Sequence, residues 1–139
     1  MNYSRLCNQI LIIIFFIGIS FSAIKKADFY SESWALLIGI NKYQNWPHLN
    51  YAVADAKRMQ KLLTEKLDFP EDHIFMILDE EATLLNIRKE LNNLKNVAND
   101  NDRVLIYFAG HGTTEPLPTE GEEGYLVPVD GGDENALYI

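Results

Sequence analysis

The residue best placed to do chemistry in this sequence is His111, which stands between Gly110 and Gly112. An imidazole exchanges protons near neutral pH, so it can act as a general acid or base. The flanking glycines carry no side chain, so a substrate backbone can approach the imidazole closely. An ordinary histidine on a surface loop can also lie between two glycines. The role of His111 therefore depends on the element that positions it.

A strand is predicted immediately before His111. Residues 104–109 are six apolar or aromatic residues in succession, which is typical of a strand buried in a parallel sheet. This strand would end at Gly110. In open α/β sheets the reactive groups lie just beyond the carboxyl ends of the strands. The sequence therefore predicts that His111 is held by a rigid strand and is open to a substrate.

The remaining chain alternates strand and helix signals. Strands are predicted over residues 34–40, 73–78, 104–109 and 125–129. Helical spacing predicts one helix over 51–67 and a second that begins at the N-cap Thr83. The buried stripe of this second helix is Leu84, Ile87, Leu91 and Leu94. Residues 41–47 and 113–123 are predicted to be loops. The order β-α-β-α-β predicts a three-layer α/β fold, with a mostly parallel sheet and helices on both faces.

Four sequence blocks on these elements match a family pattern. They are Trp34-Ala-Leu-Leu-Ile-Gly-Ile-Asn-Lys-Tyr43, Leu49-Asn-Tyr-Ala-Val-Ala-Asp-Ala56, Tyr107-Phe-Ala-Gly-His-Gly112 and Gly124-Tyr-Leu-Val-Pro-Val-Asp130. In this order and spacing, the chain resembles the caspase-like cysteine peptidases, in particular their bacterial, metacaspase-like branch. The resemblance implies a caspase-like (flavodoxin-like) catalytic domain over residues 33–139, of which this is the amino-terminal half, with a sheet that is incomplete at the C-terminus.

The resemblance also implies roles for two residues. His111 would be the histidine of a Cys-His dyad, which assists attack by the thiolate and then protonates the leaving amine. Gly112 matches the position whose backbone N–H faces the oxyanion. The family carries its nucleophilic cysteine on the next long strand, in an Asp-x-Cys-x-x-Gly-type setting. We expect that strand beyond residue 139, in a longer gene product, and we expect these 139 residues alone to hydrolyse no peptide.

The expected partner is a peptide or protein substrate, and the metacaspase resemblance implies cleavage after Arg or Lys. The net charge of −8 disfavours nucleic acid, which is bound through clusters of Lys and Arg. No cofactor is predicted, and Ca²⁺ activation rests on analogy with the family alone. The acidic residues near the end of the chain lack the spacing of an EF-hand, which favours a mobile acidic loop. They are Glu115, Glu120, Glu122, Glu123, Asp130, Asp133 and Glu134.

Three further residues are weaker candidates. Asp55 matches an acidic residue of the family's first helix, and we expect it to form a local hydrogen bond or salt bridge. His48 follows Pro47 in a loop near the end of the first strand, where it could touch substrate, although a solvated histidine is the simpler interpretation. His73 is predicted to be structural. The three histidines lack the short spacing of metal ligands, so no metal site is predicted.

The first 22 residues are predicted to be a targeting segment. Arg5 supplies a positive charge, residues 10–19 are an apolar stretch, and Ser20-Phe-Ser22 offers small residues for a signal peptidase. The apolar stretch is shorter than the ~20 residues needed to cross a bilayer. We therefore expect a cleaved export signal, with a short membrane anchor as the alternative. The single cysteine, Cys7, lies in this segment.

Three functions remain open on the sequence. The chain can be the amino-terminal part of an exported caspase-like endopeptidase. It can also be a non-catalytic caspase-like scaffold or regulatory module that offers an open sheet edge to a partner. The third alternative is an unrelated flavodoxin-like domain that binds a small ligand at its strand ends. An open sheet edge also predicts poor solubility of the isolated chain. The oligomeric state is not predicted.

Overall fold

The computed structural model describes residues 29–132. The targeting segment predicted over residues 1–22 lies outside the described residues, as do Asp133 and Glu134 of the predicted acidic loop. Within the described range, no helix combines the length and apolar character needed to cross a membrane.

Within residues 29–132, three parallel strands form the main sheet. β1 (Ser33–Gly39) lies at the centre, between β2 (Ile74–Leu78) and β3 (Arg103–Ala109). β1 pairs with β3 residue by residue along its whole length. Because the strands are parallel, their carboxyl ends meet at one edge of the sheet. The loop after β1 and the residues after β3 therefore emerge side by side at that edge.

One helix covers each face of this sheet. Alternation along β1 directs Leu36 and Ile38 to one face and Ala35 and Leu37 to the other. The helix α1 (Ala52–Lys66) contributes Leu63 to the Ala35 and Leu37 side. The helix α2 (Leu84–Val97) contributes Ile87 and Leu94 to the opposite core. The predicted three-layer arrangement is therefore confirmed.

The start of α2 also follows the prediction. The Thr83 hydroxyl accepts a hydrogen bond from the Asn86 backbone N–H at 3.2 Å, which satisfies one of the free donors of the first turn. The carboxylate of Asp130 accepts a second bond, from the Leu84 N–H at 2.9 Å. Asp130 was predicted to belong to a mobile acidic loop, and this part of the prediction is wrong because its carboxylate caps a helix.

The prediction that β3 is fully buried is also wrong. Val104 is 46% exposed and Ile106 is 55% exposed. Both lie on the face of the sheet that carries α2, but α2 packs over β1 and leaves them uncovered. Among the described residues no strand pairs with the outer edge of β3. An unbroken run of apolar residues indicated a strand correctly, but it did not establish that other described elements cover both of its faces.

The loop predicted over residues 113–123 is instead a β-hairpin. β4 (Gly112–Pro116) pairs antiparallel with β5 (Glu122–Leu126), and the Leu117 N–H donates to the Gly121 carbonyl at 3.0 Å to close the turn. Gly121 has a φ of +97°, which glycine adopts without strain. The strand predicted over 125–129 therefore starts earlier and ends at Leu126. Pro116 is tolerated because it occupies the end of its strand.

Candidate active site

His111 lies just beyond β3, separated from it by Gly110, and both of its backbone polar groups form hydrogen bonds. Its N–H donates to the Tyr43 hydroxyl at 2.7 Å, and its carbonyl accepts from the Val127 N–H at 3.0 Å. These two bonds tie the end of β3 to the loop after β1 and to the segment after the hairpin. The backbone of His111 is therefore held from two sides.

The imidazole of His111 is held separately. Its Nε2 lies 2.8 Å from the carbonyl oxygen of Pro47, and its ring centroid lies 4.8 Å from that of Tyr43 and 5.4 Å from that of Trp46. Because a carbonyl oxygen only accepts, this contact assigns the proton of the neutral ring to Nε2. The Nδ1 atom is then the one left to take up a proton.

Asp79 fixes the beginning of the loop that carries Pro47. Its Oδ1 accepts from the backbone N–H groups of Asn41 at 2.7 Å and of Lys42 at 3.0 Å. Asp79 follows β2 with a φ of +44°, a left-handed conformation that Asp tolerates better than most residues. The end of β2 therefore positions the loop after β1.

The far side of the same loop is joined to the residues after the hairpin. The Gln44 N–H donates to the Val129 carbonyl at 3.0 Å, and the Asn45 side-chain amide donates to the Gly131 carbonyl at 3.2 Å. Loop 41–47 carries Pro47, the partner of the His111 imidazole. Hydrogen bonds to Asp79 on one side and to the residues after the hairpin on the other hold this loop in place.

The Tyr43 side chain is buried behind His111, with 3% of its surface exposed. Its hydroxyl donates to the Val127 carbonyl at 3.2 Å. Burial raises the pKa of Tyr43 above its usual value, and the hydrogen bond from the His111 backbone N–H opposes this shift. The phenol is therefore protonated at neutral pH and is able to act as a donor.

The two glycines beside His111 differ in their surroundings. A Cβ at Gly110 would collide with the Tyr43 hydroxyl and would lie 2.8 Å from the Phe108 ring, so packing requires glycine there. A Cβ at Gly112 would meet only the Tyr125 carbonyl, at an ordinary 3.4 Å. The described residues therefore leave room for a Cβ at Gly112.

A cavity of about 360 Å³ lies beside this site, between the start of α1 and the end of β3. Residues 48–52, Asp55, Ala109 and Gly110 line it. The Asp55 carboxylate forms an exposed ion pair with Arg58 at 3.0 Å, as predicted. The exposed His48 is part of the cavity wall, so the structure brings it to the same end of the sheet as His111.

His73 lies away from this site, in a 3₁₀ turn before β2. Its ring stacks on Trp34 with centroids 3.8 Å apart, and its Nδ1 lies 3.7 Å from the Glu32 carboxylate. Its position is therefore structural, as predicted. In the part of the chain that the structure describes, no three His, Cys, Asp or Glu residues are grouped so that they could hold a metal ion.

The sequence-based interpretation missed the partners of His111 on loop 41–47. Tyr43 and Trp46 are aromatic residues in an otherwise polar loop, and that pattern was a signal of burial. The contact with Pro47 had no such signal, because it uses a backbone carbonyl, which every residue carries.

The fold and the site together define an α/β protein in which a histidine, held by hydrogen bonds, lies at the carboxyl ends of the parallel strands. The caspase-domain family model matches residues 32–138. Metacaspase-6 of Arabidopsis thaliana is 35% identical over 106 residues, which cover 69% of this chain and 29% of that protein. Metacaspase-3 of the same plant is 32% identical over 118 residues, which cover 78% of this chain and 33% of that protein.

A solved structure shares the fold. Protein GSU0716 from Geobacter sulfurreducens superposes with a TM-score of 0.61 and 21% identity, over 72% of this chain and 40% of that one. The chain belongs to the caspase-domain family, a family of cysteine peptidases that includes the metacaspases. The match spans about a third or less of the length of the metacaspases named above.

Proposed function

We propose that this chain is the histidine-bearing part of a caspase-like cysteine endopeptidase, in which His111 is the proton-transfer residue of a Cys-His dyad. The observation that carries the proposal is the bond between His111 Nε2 and the Pro47 carbonyl. This bond orients the ring and leaves Nδ1 as the proton acceptor. A cavity lined in part by the preceding residue, Gly110, lies at the same end of the sheet.

In the proposed reaction, His111 Nδ1 takes the proton of a cysteine thiol, and the thiolate attacks the scissile carbonyl carbon. The Pro47 carbonyl stabilises the resulting imidazolium by accepting from Nε2. The imidazolium then returns its proton to the leaving amine as the carbon–nitrogen bond breaks. Water then attacks the acyl carbon while Nδ1 takes its proton, and this proton passes to the cysteine sulfur as the carbon–sulfur bond breaks.

Gly112 is proposed to donate its backbone N–H to the oxyanion. Gly112 is paired with Leu126, and the neighbouring pair of His111 and Val127 carries the ladder hydrogen bond. Bonded and non-bonded pairs alternate in an antiparallel ladder, so the N–H of Gly112 points away from β5. The lack of a side chain at Gly112 also supports this role, because a side chain there would lie where the substrate has to approach.

The nucleophile is proposed to come from a strand outside these 139 residues. The only cysteine of the sequence, Cys7, precedes the matched domain. A strand that pairs with the outer edge of β3 would end beside His111, because parallel strands align their carboxyl ends. The exposure of Val104 and Ile106 supports this arrangement, since the elements that follow such a strand would cover them. On this proposal, the 139 residues alone hydrolyse no peptide.

A basic residue at P1, the substrate residue before the scissile bond, is proposed to enter the cavity beside His111. Asp55 supplies a carboxylate to this cavity, and its present partner, Arg58, is an exposed side chain that a substrate cation can displace. A lysine or arginine of the substrate would then replace Arg58. Export of the mature protein, directed by residues 1–22, is part of the same proposal.

The test is to read the gene beyond codon 139 and to express the whole encoded polypeptide. We expect a strand ending in Asp-x-Cys, and turnover of peptides with Arg or Lys at P1. His111→Ala should abolish turnover, whereas His73→Phe, which keeps a ring stacked on Trp34 at the other end of the sheet, should retain it. Turnover that survives His111→Ala would refute the proposal, and a long reading frame without cysteine would favour the scaffold alternative.

A further inference from the structure

The Tyr43 hydroxyl occupies the place of a missing ladder hydrogen bond. His111 and Val127 are opposite each other, and the Val127 N–H donates directly to the His111 carbonyl at 3.0 Å. In a regular antiparallel pair, the His111 N–H would donate to the Val127 carbonyl in return. Here the His111 N–H donates to the Tyr43 hydroxyl at 2.7 Å, and that hydroxyl donates to the Val127 carbonyl at 3.2 Å.

The inserted hydroxyl holds the two backbones apart. For a near-tetrahedral angle between the two bonds at the hydroxyl oxygen, the His111 nitrogen and the Val127 oxygen are roughly 5 Å apart, whereas a direct bond would need about 2.9 Å. The regular pairing of β4 with β5 therefore ends at His111, where only one of the two expected backbone bonds is direct. At this same residue the imidazole contacts the Pro47 carbonyl, on the loop that also carries Tyr43.

The surroundings of Tyr43 restrict the position of its hydroxyl. Its side chain is almost wholly buried, and Gly110 lacks the Cβ that would collide with the oxygen. Tyr43 and Pro47 belong to the same loop, 41–47. One loop thus bonds both the backbone of His111, through a side chain, and the imidazole of His111, through a carbonyl.

We propose that Tyr43 is a positioning residue that sets the direction of the His111 imidazole by standing between the His111 N–H and the Val127 carbonyl. Its importance for catalysis rests on the proposed function, since a shift of about 1 Å in a proton-transfer group costs a large share of the rate. Phenylalanine would fill the same volume but would satisfy neither backbone group. The two backbones would then close towards a direct bond, because a buried N–H and a buried carbonyl without partners are costly, and this closure moves the imidazole away from Pro47.

The test compares Tyr43→Phe with Tyr107→Phe in the 139-residue chain. Tyr107 is a half-buried tyrosine of β3 that packs on the α1 side of the sheet, so this control removes a hydroxyl from the same region. Two-bond nitrogen–proton correlations of the labelled imidazole report which ring nitrogen carries the proton. Amide hydrogen exchange reports the bond made by the His111 N–H. Neither measurement needs turnover, so failure here is distinguishable from failure of the proposed function.

We expect the wild-type chain and Tyr107→Phe to hold the His111 proton on Nε2. Tyr43→Phe should give a mixture of the two ring tautomers and exchange of the His111 amide that is about five- to tenfold faster, as for the loss of one hydrogen bond. A folded Tyr43→Phe variant with wild-type ring correlations would overturn the proposal. If this variant does not fold, amide exchange in the wild-type chain is the deciding measurement. A His111 amide as unprotected as those of the turn at Gly121 would overturn the proposal, whereas a protected His111 amide would support it.

Discussion

The imidazole Nε2 of His111 lies 2.8 Å from the carbonyl oxygen of Pro47, 64 residues earlier in the chain. The contact joins the ends of two neighbouring strands, because Pro47 belongs to the loop after β1 and His111 follows β3. A displacement of loop 41–47 therefore displaces the acceptor that orients the imidazole. The residues that hold this loop become targets for mutation even where they do not touch His111.

Asp79 is the first such residue. Asp79→Ala removes the acceptor for the Asn41 and Lys42 N–H groups and leaves Ala in a left-handed conformation, so we expect the free energy of unfolding to fall by about 1–3 kcal/mol. Asp79→Asn keeps an Oδ1 acceptor and tolerates this conformation, so it should lose about 1 kcal/mol or less. Urea denaturation followed by tryptophan fluorescence measures both variants. Equal losses would contradict the role given to the hydrogen bonds.

Gly39 is required by the packing of α1 on the end of β1. A Cβ at this position would lie 2.8 Å from the Ala52 carbonyl oxygen and 2.9 Å from the Ala56 Cβ. Gly39→Ala should therefore lower the free energy of unfolding by about 1–3 kcal/mol through overpacking. Gly124→Ala is the matched control, because a Cβ there has no neighbour within 4 Å, and it should change stability by less than about 0.5 kcal/mol. Comparable losses in the two variants would show that helix packing is not the cause.

The lowered pKa of Asp102 predicts that the stability of the chain depends on pH. Its pKa is lowered, chiefly by the hydrogen bond from the Asn99 backbone N–H and further by those from the Trp34 indole and the Glu32 N–H. Because the folded pKa lies below the unfolded value of 3.8, the stabilisation is complete above that pH and is lost as the pH falls through the folded pKa.

Asp102→Asn should therefore melt at a lower temperature than the wild-type chain at pH 7, and the difference should shrink below about pH 4. Thermal melts at a series of pH values measure it. Asp100→Asn, at an exposed position of the same turn, is the control and should follow the wild-type curve. A difference in melting temperature that stays constant down to pH 2 would exclude the carboxylate charge as its source.

The two sides of β3 should respond differently to a charge. Ile106 is more than half exposed, so Ile106→Lys should change the free energy of unfolding by less than about 0.5 kcal/mol and should raise the solubility of the 139-residue chain. Leu105 packs against the α1 side of the sheet, so Leu105→Lys should cost about 1–3 kcal/mol. Denaturation and the soluble fraction after concentration measure these effects. A large loss of stability with Ile106→Lys would mean that its side chain is covered in solution.

Most of the elements that carry the candidate site could be predicted from the sequence. The strands before Gly39 and Gly110 and the helix after Thr83 follow from local patterns, namely apolar runs, helical spacing and a capping hydroxyl. The position of His111 after a parallel strand follows from the same patterns. Such features are predictable because each depends on residues close to one another in the chain.

The hairpin after His111 was not predictable in this way. Its strands contain Pro116, Gly124 and several glutamates, all of which are uncommon in strands, and it forms because β4 and β5 pair with each other. The exposure of Ile106 was missed for a related reason. Burial depends on which other elements cover a strand, and an apolar run alone does not specify them.

The amino-acid sequence by itself determined the class of fold, the family to which the chain belongs and the histidine at the edge of the sheet. Only the tertiary structure decided that the Pro47 carbonyl orients His111 and that the Tyr43 hydroxyl separates His111 from Val127. The physical reason is that these contacts use backbone N–H and carbonyl groups far apart in the chain. Every residue except proline carries both groups, so which of them meet is decided by the packing of the whole domain.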